Sequence, residues 1–413
     1  MTHRLAILVG CALVLRLAAV WAVTPRPVSD EIAYLHACGE QGALGAVWPQ
    51  SLECRPPGYP LFLRGLALAG VGRRGYLVIQ AFLSALTLVP LFVFGRRWVG
   101  ERAALAACAL LAFYPPLVLY SILFMSETLF VLLLVTAFAL IARPDAGHAA
   151  HAWGGLALAS AVLVRSAIKL FVPIAVLWFL LNPWWPRRER LVRTGLLLAG
   201  LALPFALWTV RNAAVYGEFI PADCQTMYNI WQGNPPPGMR YFGVADAYYS
   251  HSKSPSAREA LAREKVLEAV LAAPVSWAVR KVKEETPALL GLTHDTALFF
   301  NIRRLGRAPR WVVSTIIGLE SAIWLVIAVG GLVGLLLAQP DPRRTLVLLL
   351  GAATVVTSIV AFSLPRHRFP VVPFFALGAG LLLVRERPPW APTRGRCVAA
   401  AVVLVALGVV VIG

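Results

Sequence analysis

Two adjacent carboxylates, Asp30 and Glu31, follow the first hydrophobic segment of the chain. Ser29 before them is a typical helix N-cap residue, and a helix dipole favours acids in its first turn, so both could simply start a helix. Tyr34 lies one turn after Asp30 and shares its face of that helix. A carboxylate at the end of a membrane helix can also take a proton from a hydroxyl group as a general base. We predict that role for Asp30 and a catalytic role for Glu31 as well.

A stiff cationic stretch, Arg55 to Pro60, follows some twenty residues later. The prolines at 56 and 57 keep the backbone before them extended. A guanidinium group stays charged and donates two parallel hydrogen bonds to a phosphate. Arg55 could bind ordinary lipid headgroups, but we predict that it binds the phosphate of a specific substrate.

A third acid, Glu127, begins a later hydrophobic segment directly after Ser126. It too could be a helix-start acid capped by Ser126. A carboxylate at this depth in a membrane is costly without a partner or a task. We therefore predict that Glu127 lies near Asp30 and takes part in catalysis.

A dense cationic cluster, Arg366-His367-Arg368, lies between two prolines near the end of the chain. We predict that Arg366 and Arg368 bind the same phosphate as Arg55, whereas a single histidine here is more often structural. Two further cations, Arg165 and Lys169, bracket a tight turn and are interpreted as snorkelling to the membrane surface.

The composition is that of a helical membrane protein with many spans. Hydrophobic residues make up 59% of the 413 residues and charged residues only 14%, which excludes an ordinary soluble domain. The net charge of +18 does not indicate a nucleic-acid partner, because much of the arginine lies in short loops beside anionic lipid headgroups.

Apolar runs predict eleven spans, with an uncleaved first span and the N-terminus inside. Residues 57–71 are short, contain prolines and carry Arg64, so we expect an amphipathic helix at the outer interface. Counting it as a span would also move most loop arginines outside, against the positive-inside rule. The predicted spans are 5–24, 75–95, 103–120, 128–142, 152–165, 168–182, 194–210, 311–338, 344–364, 369–384 and 397–412.

These boundaries predict three parts: a membrane module 1–210 with its first outer loop at 25–74, an outer domain 211–310, and final spans within 311–413. A soluble helix is expected at about 256–272, ended by Pro274. Cys38 and Cys54 share the first outer loop and could form a disulfide in an oxidising compartment. Arg16, within the first span, is expected to pair inside the bundle or to snorkel.

In their order along the chain, these motifs resemble the GT-C glycosyltransferases of the protein O-mannosyltransferase and lipid A aminoarabinose transferase type. The matching stretches are Asp30-Glu31, Arg55 to Pro60, Ser126-Glu127, Arg211-Asn212 with Tyr216 to Phe219, and Arg366 to Pro370. The resemblance implies an all-α GT-C fold with about eleven spans, outer juxtamembrane helices and a larger outer loop domain.

The resemblance also implies an inverting transfer from a polyprenyl-phosphate-linked sugar to a hydroxyl acceptor on a lipid, glycan or protein. Asp30 matches the catalytic carboxylate, Glu127 the second acid and Arg55 the basic residue at the donor phosphate. Tyr34, Tyr59 and Arg211 are then expected to line the substrate cavity. Two departures bear on the acceptor: the basic residue is Arg where the aminoarabinose transferases have Lys, and we expect no large soluble domain after the last span.

No nucleotide-binding or hydrolase motif occurs in a credible context, so an activated lipid-linked substrate must supply the driving force. We expect no required cofactor, although Asp30, Glu31 and Glu127 could hold a divalent metal. The rival classes are a lipid or glycan transporter (flippase), a glycan polymerase or ligase, and a non-catalytic scaffold. The composition favours a bacterial inner membrane, with the active site on the periplasmic or extracellular side.

Overall fold

Apolar runs between proline, glycine and arginine become helices almost throughout the computed structural model. It describes residues 3–28, 30–37, 55–235, 241–252, 254–292, 294–301, 304–306, 308–384 and 393–402. The first eleven helices are α1 (His3–Ala22), α2 (Asp30–Ala37), α3 (Gly58–Leu68), α4 (Arg73–Leu86), α5 (Leu88–Arg96), α6 (Glu101–Phe113), α7 (Pro115–Ser121), α8 (Glu127–Ile141), α9 (His148–Val164), α10 (Phe171–Leu181) and α11 (Arg187–Tyr216).

The second half continues with a group of shorter helices and then further apolar ones. They are α12 (Thr226–Gln232), α13 (Tyr241–His251), α14 (Pro255–Ala272), α15 (Pro274–Leu290), α16 (Asp295–Asn301), α17 (Arg310–Leu325), α18 (Gly331–Leu337), α19 (Pro342–Val360) and α20 (Val372–Leu383). A π-helical turn joins α17 to α18, short 3₁₀ turns precede α10 and α20, and residues 394–402 are helical.

Among the described residues, five helical segments are long and apolar enough to cross a membrane. They are α1, α4 with α5, α11, α17 with α18, and α19; α6 with α7 adds a sixth if this bent pair counts as one span. The apolar helices α8, α9, α10 and α20 are shorter. Each of the first ten predicted spans thus coincides with an apolar helix, which confirms a multi-pass membrane protein. The total of eleven and the orientation stay predictions.

Two local features of the bundle follow directly from the sequence. The bend of 56° between α6 and α7 lies at Pro115 and Pro116, and Tyr114 before them takes the extended backbone that a following proline favours. Arg16 is buried in α1, where its Nε donates to Ser84 Oγ at 2.7 Å and its Nη1 to the carbonyls of α1 and α6. The predicted pairing of Arg16 inside the bundle is therefore confirmed.

The shorter helices gather at the end of the bundle that carries Asp30, which we call the Asp30 end. The predicted amphipathic segment 57–71 contains α3, and the predicted soluble helix is α14, capped by Ser254 and ended before Pro274. A small apolar core centred on Tyr228, Tyr248 and Val266 joins α12, α13 and α14. This group of helices lies within the predicted 211–310 outer domain and covers the Asp30 end. The three-part division of the chain itself stays a prediction.

Two sequence-based expectations concern residues outside the described part of the chain. Ser29, Cys38 and Cys54 lie outside the described residues, so neither the cap nor the disulfide is tested. Cys224, in the segment before α12, is disulfide-bonded. At α8, Ser126 occupies the N-cap position, but its side chain makes no capping hydrogen bond.

Glycines allow a close approach between spans at the contact of α9 with α11. A Cβ atom added at Gly200 would lie 2.0 Å from the carbonyl oxygen of Ala152, and one at Gly155 would lie 2.2 Å from that of Leu197. Small residues of this kind let helix backbones touch inside a membrane, where lipid contacts give no competing advantage to large side chains.

We predict that Gly200→Ala lowers the stability of the protein by about 1–3 kcal/mol, because the added methyl group forces α9 and α11 apart. Gly195→Ala, on the same helix, is the matched control: its Cβ would meet nothing within 4 Å. The measurement is the apparent Tm in detergent by tryptophan fluorescence. Equal Tm values for the two variants would contradict the close contact.

Candidate functional site

One carboxylate joins three distant parts of the chain at the Asp30 end. Asp30 Oδ1 accepts from Arg55 Nη1 at 3.0 Å, and Asp30 Oδ2 accepts from Arg366 Nη2 at 3.3 Å. Asp30 is the first residue of α2, Arg55 precedes α3, and Arg366 lies in the turn before α20. The structure thus brings together a predicted base and two predicted phosphate ligands.

Glu127 forms the second acid of this cluster, as the first residue of α8. Its Oε1 lies 2.7 Å from Arg165 Nη1 and 3.9 Å from Arg366 Nη1. Its Oε2 is buried and has no hydrogen-bond partner within the described part of the chain. Arg366 therefore lies between both acids, and Arg165, which the sequence assigned to the membrane surface, belongs to the cluster instead.

A cavity of about 400 Å³ opens beside these side chains. Asp30, Tyr34, Arg55, Arg165 and Arg366 are among its lining residues. The segment around α12 and one face of α19 add neutral polar residues to the lining, including Gln225, Asn229, Gln232, Thr357 and Ser358. The cavity is thus a charged pocket at the end of an apolar bundle, covered by the 211–310 segment.

Lys169 also lines this cavity. It forms an ion pair with Asp223, and its Nζ donates to Thr226 Oγ1 at 2.9 Å. Its position at the wall was missed by the sequence reasoning, as was that of Arg165. The signal that could have found them is the turn itself: two cations within five residues at the end of a span, on the same side of the membrane as Asp30 and Glu127.

Glu31 occupies a different place from Asp30, although the two are neighbours in sequence. Its side chain is fully buried, and its Oε2 lies 2.7 Å from Arg304 Nη2. The backbone N–H groups of Val28 and Phe124 donate to its two oxygens at 3.0 and 2.9 Å. Glu31 is not among the residues that line the cavity. This geometry ties the first outer loop to the segment before α8 and does not offer Glu31 to a substrate.

Four other predicted site residues also lie outside the cavity lining: Glu127, which lies behind Arg165, and Arg368, Tyr59 and Arg211. Arg368 is buried with its guanidinium 4.3 Å from the ring of Trp324. Tyr59 lies behind Tyr34, with ring centroids 5.0 Å apart, and donates to Gln80 Oε1 at 2.5 Å. Arg211 is buried at the end of α11 and stacks near Trp208 and Tyr216 (its Nη1 donates to the neighbouring Asn212 side chain).

The electrostatic environment keeps Asp30 ionised and His367 neutral. Burial raises the pKa of the Asp30 carboxyl, but the positive charges of Arg366 and Arg55 outweigh this effect, so its pKa lies below the usual value. Burial, together with Arg165 and Arg366, lowers the pKa of His367 well below its usual value. A carboxylate among arginines is thus the charged acceptor in the site, and His367 adds no charge.

The three predicted acids do not converge on a common point. Asp30 faces Arg55 and Arg366, Glu127 faces Arg165, and Glu31 faces Arg304. Within the described ranges, no group of three or more His, Cys, Asp or Glu side chains could hold a metal ion. The residues described at the site therefore do not fit the divalent metal that the sequence left open.

We predict that Glu31→Gln destabilises the protein by about 3–5 kcal/mol, because Arg304 would keep a buried charge without its partner. Removing both charges, in Glu31→Gln/Arg304→Gln, should restore part of the loss. Glu264→Gln, which breaks an exposed ion pair on α14, is the control and should leave the apparent Tm nearly unchanged. A Glu31→Gln protein of normal Tm but without transfer activity would instead show that Glu31 is catalytic.

Comparison with known proteins places this geometry in a family context. Residues 54–209 match the family "dolichyl-phosphate-mannose-protein mannosyltransferase". This region contains Arg55, Glu127 and Arg165. No curated protein sequence matches the chain significantly.

Two solved structures are similar to the fold. The apo oligosaccharyltransferase of Archaeoglobus fulgidus matches 98% of this chain and 54% of its own, with 15% identity and a TM-score of 0.54. The chain therefore spans about half the length of that protein. ArnT of Cupriavidus metallidurans bound to undecaprenyl phosphate matches 91% of this chain and 77% of its own, with 16% identity and a TM-score of 0.41.

The expected resemblance to the GT-C glycosyltransferases is thus supported at two levels: residues 54–209 match the mannosyltransferase family model, and the fold of almost the whole chain is similar to that of the oligosaccharyltransferase.

Proposed function

We propose that the protein transfers a sugar from a polyprenyl-phosphate donor to a hydroxyl acceptor, with inversion at the anomeric carbon. The observation that carries the proposal is the Asp30 carboxylate held between Arg55 and Arg366 at the wall of the cavity. Such a pair of guanidinium groups suits a phosphate, and such a carboxylate suits a hydroxyl proton. The matched family supports a lipid-linked donor, since its description includes dolichyl-phosphate mannose.

The charge balance of the cavity favours an anionic ligand. Its lining carries four cations, Arg55, Arg165, Lys169 and Arg366, against the two acids Asp30 and Asp223. Glu127, which lies behind Arg165, offsets one more positive charge, so a net excess of one positive charge remains. We assign the donor phosphate to Arg55 and Arg366, with Arg165 nearby, and assign Arg368 to structure because Trp324 covers it.

A second, apolar cavity of about 200 Å³ offers a place for part of the donor's hydrocarbon chain. Leu289, Leu348, Val355 and Phe375 are among its lining residues, which come from α15, α17, α18, α19 and α20. Thr354 of α19 lines both this cavity and the charged one. A lipid whose phosphate lies at Arg366 could therefore extend its chain across α19 into apolar surroundings.

The chemical step then follows from the placement of Asp30. Asp30 takes the proton of the acceptor hydroxyl while the hydroxyl oxygen attacks the anomeric carbon from the side opposite the phosphate. The bond between the anomeric carbon and the phosphate oxygen breaks, and polyprenyl phosphate leaves with the bonding electrons. Arg55 and Arg366 stabilise the negative charge that grows on the phosphate, which is commonly the largest contribution to catalysis in such a site.

Binding of the donor also prepares the base. Without donor, both Asp30 oxygens accept hydrogen bonds from the arginines that the phosphate needs. A phosphate that takes over these donors frees the Asp30 oxygens and offsets the charges that depress its pKa. Asp30 should thus become a stronger base only when the donor is in place.

We propose the periplasmic or extracellular side of a bacterial inner membrane as the location of the site, because the topology predicted from the sequence has the Asp30 loop on that side.

We predict that Asp30→Asn lowers kcat by at least about 10²-fold, because the amide cannot accept the hydroxyl proton. Affinity for polyprenyl phosphate should persist or increase, since a competitor for Arg55 and Arg366 is weakened. Transfer of radiolabelled sugar and lipid binding in nanodiscs measure the two effects. Asp145→Asn, an exposed acid outside the cavity lining, is the control. A transporter would instead be indicated by two results together. The unaltered protein would transfer no sugar, and the Asp30→Asn variant would still move the donor lipid across vesicle membranes.

The depressed pKa of Asp30 predicts a specific pH dependence. In the donor-free protein, Asp30 protonates only below its usual pKa of about 3.9, so its ion pairs stabilise the fold at higher pH and are lost as the pH falls through the folded-state pKa. In the donor complex its pKa should be higher. We therefore expect the acid limb of kcat to lie at higher pH than that of kcat/KM for the donor. Coincident limbs would contradict the competition between donor phosphate and Asp30.

A further inference from the structure

Two polar stripes contribute to the lining of the cavity, one from α12 and one from α19. Gln225, Asn229 and Gln232 are spaced by four and three residues, so they share one face of α12 and its preceding residue. We call these three side chains the amide wall. Thr354 is three and four residues before Thr357 and Ser358, so these three share one face of α19, and all six residues line the cavity. Each stripe presents neutral hydrogen-bonding groups, not charges.

The amide wall is held at the start of α12. The backbone N–H groups of Met227 and Tyr228 donate to the two oxygens of Glu259 at 2.9 and 3.2 Å. The Tyr248 hydroxyl donates to the same carboxylate at 3.0 Å. These bonds fix the first turn of α12 against α13 and α14.

The end of α12 is fixed against α19 as well. Asn234 Nδ2 donates to the carbonyl of Val360 at 3.1 Å, and Lys281 Nζ donates to the carbonyls of Gly233 and Ala361 at 3.1 and 2.6 Å. A Cβ at Gly233 would lie 1.7 Å from the Ala361 oxygen, so this contact has no room for a side chain. The amide wall is therefore preorganised relative to the stripe on α19.

The amides themselves are also oriented. Gln225 Nε2 donates to the Tyr249 hydroxyl at 2.7 Å, and Gln232 Nε2 donates to the Tyr228 hydroxyl at 2.5 Å. Both glutamines are only 7% exposed. Fixed amides, and hydroxyl oxygens that can still accept, in one cavity lining are suited to a ligand that both donates and accepts hydrogen bonds at several adjacent positions, which is the chemistry of a sugar ring.

The same walls disfavour a sugar that carries an ammonium group. Each acid among the described lining residues already has a cation: Asp223 pairs with Lys169, and Asp30 with Arg55 and Arg366. An added ammonium group would find neutral amides and an excess of positive charge. Resting on the proposed function, we infer that the amide wall binds a neutral, hydroxyl-rich sugar unit and selects it over an amino sugar.

The test compares three ligands on the full chain in nanodiscs: a polyprenyl phosphate, the same lipid carrying a neutral hexose, and the same lipid carrying an aminopentose. We expect the hexose to tighten binding by about tenfold over the bare phosphate, as one or two net hydrogen bonds would, and the aminopentose not to do so. An equal gain for the aminopentose would overturn the inference.

The variant Asn229→Ala/Gln232→Ala should lose the hexose advantage but keep its affinity for the bare phosphate. Asn301→Ala, at the exposed end of α16, is the matched control. The variant Asn229→Asp should bind the aminopentose lipid more tightly than the bare polyprenyl phosphate. A folding defect could not produce this gain in affinity. If the double variant keeps the hexose advantage of the donor lipid but has a higher KM for a carbohydrate acceptor, the amide wall binds the acceptor sugar.

Two further outcomes separate this inference from the proposed function. An unchanged hexose advantage together with an unchanged acceptor KM in the double variant would overturn the sugar role of the amide wall, leaving the proposed transfer intact. Failure of the bare polyprenyl phosphate to bind the unaltered protein would count against the proposed function itself, and with it against the inference.

Discussion

The Asp30 carboxylate holds together side chains that are 25 and 336 residues away in sequence. Three guanidinium groups, from Arg55, Arg165 and Arg366, meet at one end of an apolar bundle. Like charges at such distances repel strongly where water is scarce, and the cluster persists because Asp30 and Glu127 lie between them. The rest of the site depends on this alternation of acids and arginines.

In the proposed reaction, the same ion pairs serve binding and catalysis. The donor phosphate competes with Asp30 for Arg55 and Arg366, and that competition releases the base. On this proposal the site is stable when empty and is activated by its own anionic substrate. Glu127, which is buried and keeps one oxygen without a partner in the described structure, can hold Arg165 and Arg366 in place while Asp30 is exchanged for phosphate.

The helices of the 211–310 segment contribute rigidity more than charge. Glu259 accepts hydrogen bonds from backbone N–H groups at the start of α12, and Lys281 donates to the carbonyl of Gly233 at its end. The α12 residues in the cavity lining are themselves uncharged. The lining of the cavity thus combines cations from the membrane helices and their turns with neutral polar residues from α12 and α19. This division matches a ligand with an anionic part and an uncharged polar part.

The positions of the apolar helices and the types of side chain at the site can be inferred from the sequence alone. In lipid, the backbone must bond within its own helix, so apolar runs between prolines and glycines become helices within a few residues of the predicted bounds. Which side chains meet was decided by the tertiary structure. Successive residues of a helix point about 100° apart, so Asp30 faces the cavity while Glu31 is buried against Arg304. Likewise, Arg165 joins Glu127 because α8 and α9 pack side by side, a contact that hydropathy does not specify.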